Sequence, residues 1–156
     1  MIHSRPPCLP IILPLLCLLA AGCAFVPVSV ERAAPTTEEI TFAQTQLSAQ
    51  KKFMATFKPV QQPVAINEIH SWRIQLSTPS GKPVEKAVFH IGGGMPEHGH
   101  GFPTRPRVTE IGGGEYRLDG MKFSMHGRWE IKLGVQVGED FDVLTFNTMI
   151  ALPVAR

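Results

Sequence analysis

The stretch Arg128-Trp129-Glu130-Ile131-Lys132-Leu133-Gly134-Val135-Gln136-Val137 decides the fold class. Trp129, Ile131, Leu133, Val135 and Val137 fall on one side of an extended chain, and Arg128, Glu130, Lys132 and Gln136 on the other. Alternation sustained over nine residues marks an antiparallel strand with one face buried and one in water. The same period recurs on either side. Trp72, Ile74 and Leu76 alternate with Arg73, Gln75 and Ser77 ahead of the turn Pro79-Ser80-Gly81. Phe53, Ala55 and Phe57 alternate with Met54, Thr56 and Lys58; Ala87, Phe89 and Ile91 alternate with Val88 and His90, placing His90 outward. Val108 to Ile111 and Tyr116 to Leu118 flank three glycines as a hairpin, and Gly138-Glu139-Asp140 turns into a last strand, Phe141 to Ile150. About seven short strands separated by turn signals predict an all-β fold, an immunoglobulin-like antiparallel β-sandwich.

Composition bounds the rest. A chain of 156 residues, 44% hydrophobic and 18% charged, holds one ordinary domain and a tail. Fifteen Lys and Arg against 13 Asp and Glu leave a net +2, with no basic stripe interleaved with aromatics, so nucleic acid is not an expected partner. The three cysteines, Cys8, Cys17 and Cys23, all lie near the start, so Trp72 and Trp129 must fill the core without a disulfide beside them. There is no phosphate-cradling Gly-Lys-Ser/Thr, no Ser or Cys nucleophile followed by a base, and no carboxylate pair in a motif context. Those absences argue against an enzyme.

The start of the chain reads as an address. His3 and Arg5 precede an apolar run from Ile11 to Ala21, which is too short to span a bilayer and fits a secretory signal. Leu19-Ala20-Ala21-Gly22-Cys23 resembles the bacterial lipoprotein signal box. That resemblance implies cleavage before Cys23, acylation of its thiol and amine, and a partner in the membrane itself, since more than one acyl chain is needed for firm anchoring. Ala24 follows, with no Asp to mark inner-membrane retention, so the expected location is the cell envelope, facing the periplasm, with the outer membrane favoured. The organisation expected is a signal peptide over 1–22, a lipid-anchored tether over 23–51 and the sandwich over 52–152. Within the tether, Thr36 and Glu39 have capping-box spacing and Ile40, Ala43 and Leu47 share a helical face, which predicts a short helix near 37–50.

Between the third and fourth expected strands lies Gly92-Gly93-Gly94-Met95-Pro96-Glu97-His98-Gly99-His100-Gly101. Five glycines in ten residues suggest a flexible loop, on which His98 and His100 could turn both imidazoles to one point. Met95 adds a thioether and Glu97 a carboxylate. Imidazole with thioether is a copper-leaning donor set, whereas zinc more usually recruits thiolates or carboxylates. Met125, His126 and His70 are further candidate ligands by position, although Met121 and Met125 are also in phase with Phe123 on a strand face that suits core packing. A His-Gly-His step is by itself a weak motif, and a polar loop holding no ion is the competing reading.

Met95-Pro96-Glu97-His98-Gly99-His100-Gly101, Pro106-Arg107-Val108, Gly114-Glu115-Tyr116, Gly120-Met121-Lys122-Phe123 and Gly127-Arg128-Trp129, together with Asn67 to Trp72 and Gly81-Lys82-Pro83-Val84, resemble the bacterial YtkA-like domain. The resemblance runs from about Lys52 to Val137. It implies an extracytoplasmic β-sandwich, often tethered by lipid, with a link to copper handling and a partner that is a copper protein or belongs to oxidase assembly. Met125-His126-Gly127 departs from the family pattern, which puts His126 outside the ligands the family would share.

Two functions follow as expectations. One is a copper-binding module using His98, His100 and Met95, with Met125, His126 or His70 in support. The other is an envelope interaction or scaffold module that holds no metal.

Overall fold

The computed structural model describes residues 41–152. They form nine strands and, among the described residues, no helix. One antiparallel sheet contains β1 (Thr45–Leu47), β2 (Met54–Pro59), β3 (Ile69–Ser77), β7 (Glu115–Lys122) and β6 (Arg107–Gly112), in the order β1-β2-β3-β7-β6. The second contains β5 (His100–Gly101), β4 (Val88–Met95), β8 (Gly127–Val137) and β9 (Asp140–Ile150), in the order β5-β4-β8-β9. The expected β-sandwich is the observed architecture.

The alternation that predicted the strands also builds the core. Along β8, Trp129, Ile131, Leu133 and Val135 are fully buried while Lys132 is exposed. From the opposite sheet, Phe57, Trp72, Ile74, Leu76, Tyr116 and Leu118 face them. Burying side chains of this size stabilises by about 1.5–3 kcal/mol each before chain entropy is subtracted. Aromatic contacts add direction: Phe57 stacks on Trp72 at 4.5 Å between ring centres, and Phe123 meets Trp129 edge-on at 5.2 Å.

Two expectations about local structure are corrected. The helix near 37–50 does not form over the part described: residues 41–50 give β1 and a turn, while residues 37–40 lie outside the described residues. The reason is local. Leu47, on the supposed apolar face, is 48% exposed, whereas Ser48 is buried and accepts the Phe53 N–H at 2.9 Å. Thr45 pairs with Thr56 across β1 and β2, their hydroxyls 2.8 Å apart. Strand pairing satisfies backbone groups that a solitary helical turn would leave to water.

The second correction concerns the third expected strand, which does not end at Ile91. β4 continues through Gly92, Gly93 and Gly94 to Met95, paired along β8 as far as Gly94 opposite Glu130. The extra strands β1 and β5 raise the count from about seven to nine.

Candidate functional site

The glycine-rich segment is a hairpin and not an open loop. After β4, the chain turns over Pro96–Gly99 and β5 folds back so that Gly94 pairs with Gly101 and Met95 with His100. The glycines are required by close approach of backbones. A Cβ on Gly94 would lie 2.8 Å from the carbonyl carbon of His100, and one on Gly93 would lie 2.9 Å from that of Glu130. No side chain fits at either point. The turn is closed by the Met95 carbonyl, which accepts the N–H of His98 at 3.1 Å and of Gly99 at 2.9 Å.

This hairpin sets the two histidines. His98 and His100 are both exposed, with ring centres 6.2 Å apart and planes inclined by 15°. Glu97 is engaged elsewhere: its carboxylate accepts from Arg128 Nε at 3.2 Å, and Arg128 Nη1 donates to Asn147 Oδ1 at 3.1 Å. Arg128 is itself largely covered, its side chain 14% exposed, so the ion pair ties the turn to the β8–β9 ladder.

The remaining candidate ligands are placed apart from this pair. Met95 is 1% exposed and belongs to the core; its Cε packs at 3.0 Å from where a Cβ on Gly127 would stand. Met125 is half-buried against the core, and its carbonyl accepts the Trp129 indole N–H at 3.0 Å. His126 is exposed on the turn between β7 and β8. His70 sits within β3, 5% exposed, with Nε2 hydrogen-bonded to the carbonyl of Ala65 at 2.8 Å and its ring 6.3 Å from that of Phe123. Cys23 lies outside the described residues. Among the described residues, no group of three or more His, Cys, Asp or Glu is placed to hold a metal. The arrangement therefore offers two exposed imidazoles on the β4–β5 hairpin, His98 on its turn and His100 on β5.

Two residues that hold this site escaped the sequence reading. Arg128 was read only as the outer face of a strand, and its partner Glu97 is 31 residues away. Phe102 follows the hairpin, stacks on Trp129 with ring centres 5.6 Å apart and meets Phe123 edge-on at 6.1 Å. A single large apolar side chain inside a Gly, Pro, His and Arg stretch was the available signal.

The fold and site define an antiparallel β-sandwich that carries a histidine pair at the tip of a glycine hairpin. Over residues 48–134 the chain matches the YtkA-like family, and it belongs to that family. Among solved structures it is similar to a DUF4426 family protein from Pseudomonas aeruginosa PAO1, with TM-score 0.50 and 19% identity over 69% of this chain and 94% of that one. That likeness is one of fold. A comparison with curated proteins finds no match.

Proposed function

We propose that this chain is a lipid-anchored, extracytoplasmic binding module, not an enzyme, whose His98 and His100 hold one copper ion for delivery to a partner protein. The observation that carries the reading is the imidazole pair, 6.2 Å between ring centres, on a hairpin whose backbones approach too closely for a side chain at Gly93 or Gly94. A metal–nitrogen bond of about 2.0 Å, with about 1.1 Å from nitrogen to ring centre, puts two rings sharing an ion at most about 6.2 Å apart. The separation stands at that limit, so sharing one ion requires the two exposed rings to turn until one nitrogen of each points at it.

The donor set favours a particular use. Imidazole suits copper, and two protein ligands without a third leave coordination positions free for an incoming donor. A closed site of four ligands would retain its metal; an open one releases it to a partner with more donors. Glu97 does not compete for the ion while Arg128 holds its carboxylate. Ligation requires neutral imidazole, so binding weakens as the solution is acidified. The thioether of Met95 lies in the core and is not a ligand in this reading.

Anchoring rests on the Leu19 to Cys23 box, whose acyl chains would keep the module at the membrane, with the outer membrane favoured. The partner in this reading is a copper protein or a component of oxidase assembly in the same envelope.

The test is a Cu(I) titration of the purified chain against a competing chelator. One ion per chain is expected, with binding lost in the double variant His98→Ala, His100→Ala. Unchanged affinity in that variant would remove the site, and the scaffold reading would stand in its place.

A further inference from the structure

The edges of the two sheets are not guarded alike. β1 and β5 are only three and two residues long. β6 carries Arg107 and Glu110 and shifts register against β7. β9 is held by the β1–β2 turn, through the Ala49 N–H on the Val143 carbonyl and through Asp142. β4 differs. β5 pairs only with its Gly94 and Met95, so from Val88 to Gly92 the strand is paired to β8 on one side and, among the described residues, to no strand on the other. Short strands, charges, prolines and bulges are the usual guards of an edge. From Val88 to Gly92 there is no Lys, Arg, Asp, Glu or Pro and no shift of register.

Beside this edge lies a groove of about 550 Å³. Phe89, Ile91, Phe102 and Val108 line it, each half-buried against the core, together with the exposed Arg105 and Arg107. Neither of these arginines is in an ion pair among the described residues, whereas Arg73, Arg117 and Arg128 each hold a carboxylate. The acids nearest to Arg107 on the sheet are engaged. Asp119, opposite it in the register, accepts from Ser71 and Arg117, and Glu110 accepts the Lys86 N–H at 2.9 Å.

We propose that the β4 edge binds an extended acidic segment of a partner protein, added as a further strand along Val88–Gly92. Main-chain hydrogen bonds to the edge give such a strand its affinity, and side chains at alternate positions give it specificity. Those on the side of Phe89 and Ile91 fall over the groove, where apolar residues meet its half-buried lining and carboxylates meet Arg105 and Arg107. A second copy of this chain offering its own β4 would bring no carboxylate, because Val88 to Gly92 contains none. A small anion would leave the edge unpaired. An acidic strand satisfies both. The edge and groove include neither His98 nor His100, so the proposal stands whether or not copper binds.

The experiment uses the full chain and two end-capped peptides, Thr-Val-Thr-Glu-Thr-Val-Thr-Glu and its counterpart with Lys for Glu. The acidic peptide is expected to bind about tenfold more tightly, the size of two exposed ion pairs, and to lose that advantage in high salt. Backbone amide exchange at Val88–Gly92 should slow when it binds. N-methylation at alternate residues tests the geometry, because only every second residue of an added strand turns its amide to its neighbour. Methylating one set should abolish binding, and methylating the other should leave it intact. Arg105→Glu with Arg107→Glu changes exposed residues and should reverse the preference towards the Lys peptide. Equal binding of the two peptides, an unaltered preference in that variant, or equal tolerance of methylation in both sets would each overturn the proposal. Exchange at Val88–Gly92 unmoved by saturating peptide would do the same. So would a concentration-dependent dimer that protects Val88–Gly92 without peptide, since the edge would then belong to a second copy.

Discussion

The carboxylate of Asp142 accepts the backbone N–H of Gln50 with both oxygens, at 3.1 and 3.0 Å, across 92 residues of sequence. The same carboxylate takes the Lys52 N–H at 3.3 Å and its own neighbour's, Val143, at 2.8 Å. Ser48 also bonds to it and in turn accepts the Phe53 N–H. One buried acid thus fastens the β1–β2 turn to β9, with help from Ala49 N–H on the Val143 carbonyl at 2.9 Å.

Asp142→Ala should cost about 3 kcal/mol, because several backbone N–H groups lose an ionised acceptor together. Burial alone would raise the carboxyl, but the Ser48, Val143, Gln50 and Lys52 bonds outweigh it and hold it below its ordinary value of 3.8. Asp119 is held low as well, first by the Ser71 hydroxyl and then by Arg117, against some burial. A carboxyl depressed on folding stabilises above its unfolded value, and that stability drains as pH falls from about 4 through the lowered values. Urea midpoints at neutral and acid pH should show this loss, and Asp142→Ala should flatten it.

Tyr116 is the chain's single tyrosine, which makes its titration unambiguous. Burial raises its hydroxyl above 10.0, the Ala87 N–H bond opposes this, and Glu110 and Glu85 add to the rise. Its O–H donates to the Val84 carbonyl at 2.9 Å and accepts the Ala87 N–H at 3.1 Å. Tyr116→Phe should therefore cost about 1–3 kcal/mol. An ultraviolet titration should find phenolate forming above the ordinary value. Because the folded value is raised, the contribution is complete below pH 10 and is lost as pH climbs through the folded value.

Gly94→Ala should open the β4–β5 pairing at a cost of about 1–3 kcal/mol, since its Cβ would press on the His100 carbonyl. Gly92→Ala is the control, because a Cβ there meets nothing within 4 Å. The expected result is loss of copper affinity in the first variant and retention in the second. Amide exchange at the hairpin would report the opening directly.

Much of this fold was legible in the sequence wherever period-two alternation ran through large side chains. β3 and β8 show it plainly, with Trp72, Ile74 and Leu76 and with Trp129, Ile131, Leu133 and Val135 inward. β1 was misread because three apolar residues at helical spacing carry little weight against a partner strand and a buried acid far along the chain. Nothing near Ser48 announces Asp142.

The site was legible as a location but not as a structure. Glycines carry no hydrophobic period, so β4 was expected to end at Ile91. Met95 nonetheless continues the phase of Phe89 and Ile91, and extending that count would have placed it inward. Glycine content suggests a flexible loop, whereas Gly93 and Gly94 serve close backbone approach within paired strands. The closeness of His98 and His100 was legible because a single residue separates them in the chain. That Met95, Met125, His126 and His70 lie apart from them depended on folding that local spacing does not encode.

The most direct test of the central claim is the X-ray absorption spectrum of the chain loaded with one equivalent of Cu(I). Two imidazole nitrogens at about 2.0 Å and no methionine sulfur are the predicted shell. A sulfur neighbour, or a spectrum that survives His98→Ala with His100→Ala, would contradict the assignment of the ion to this pair.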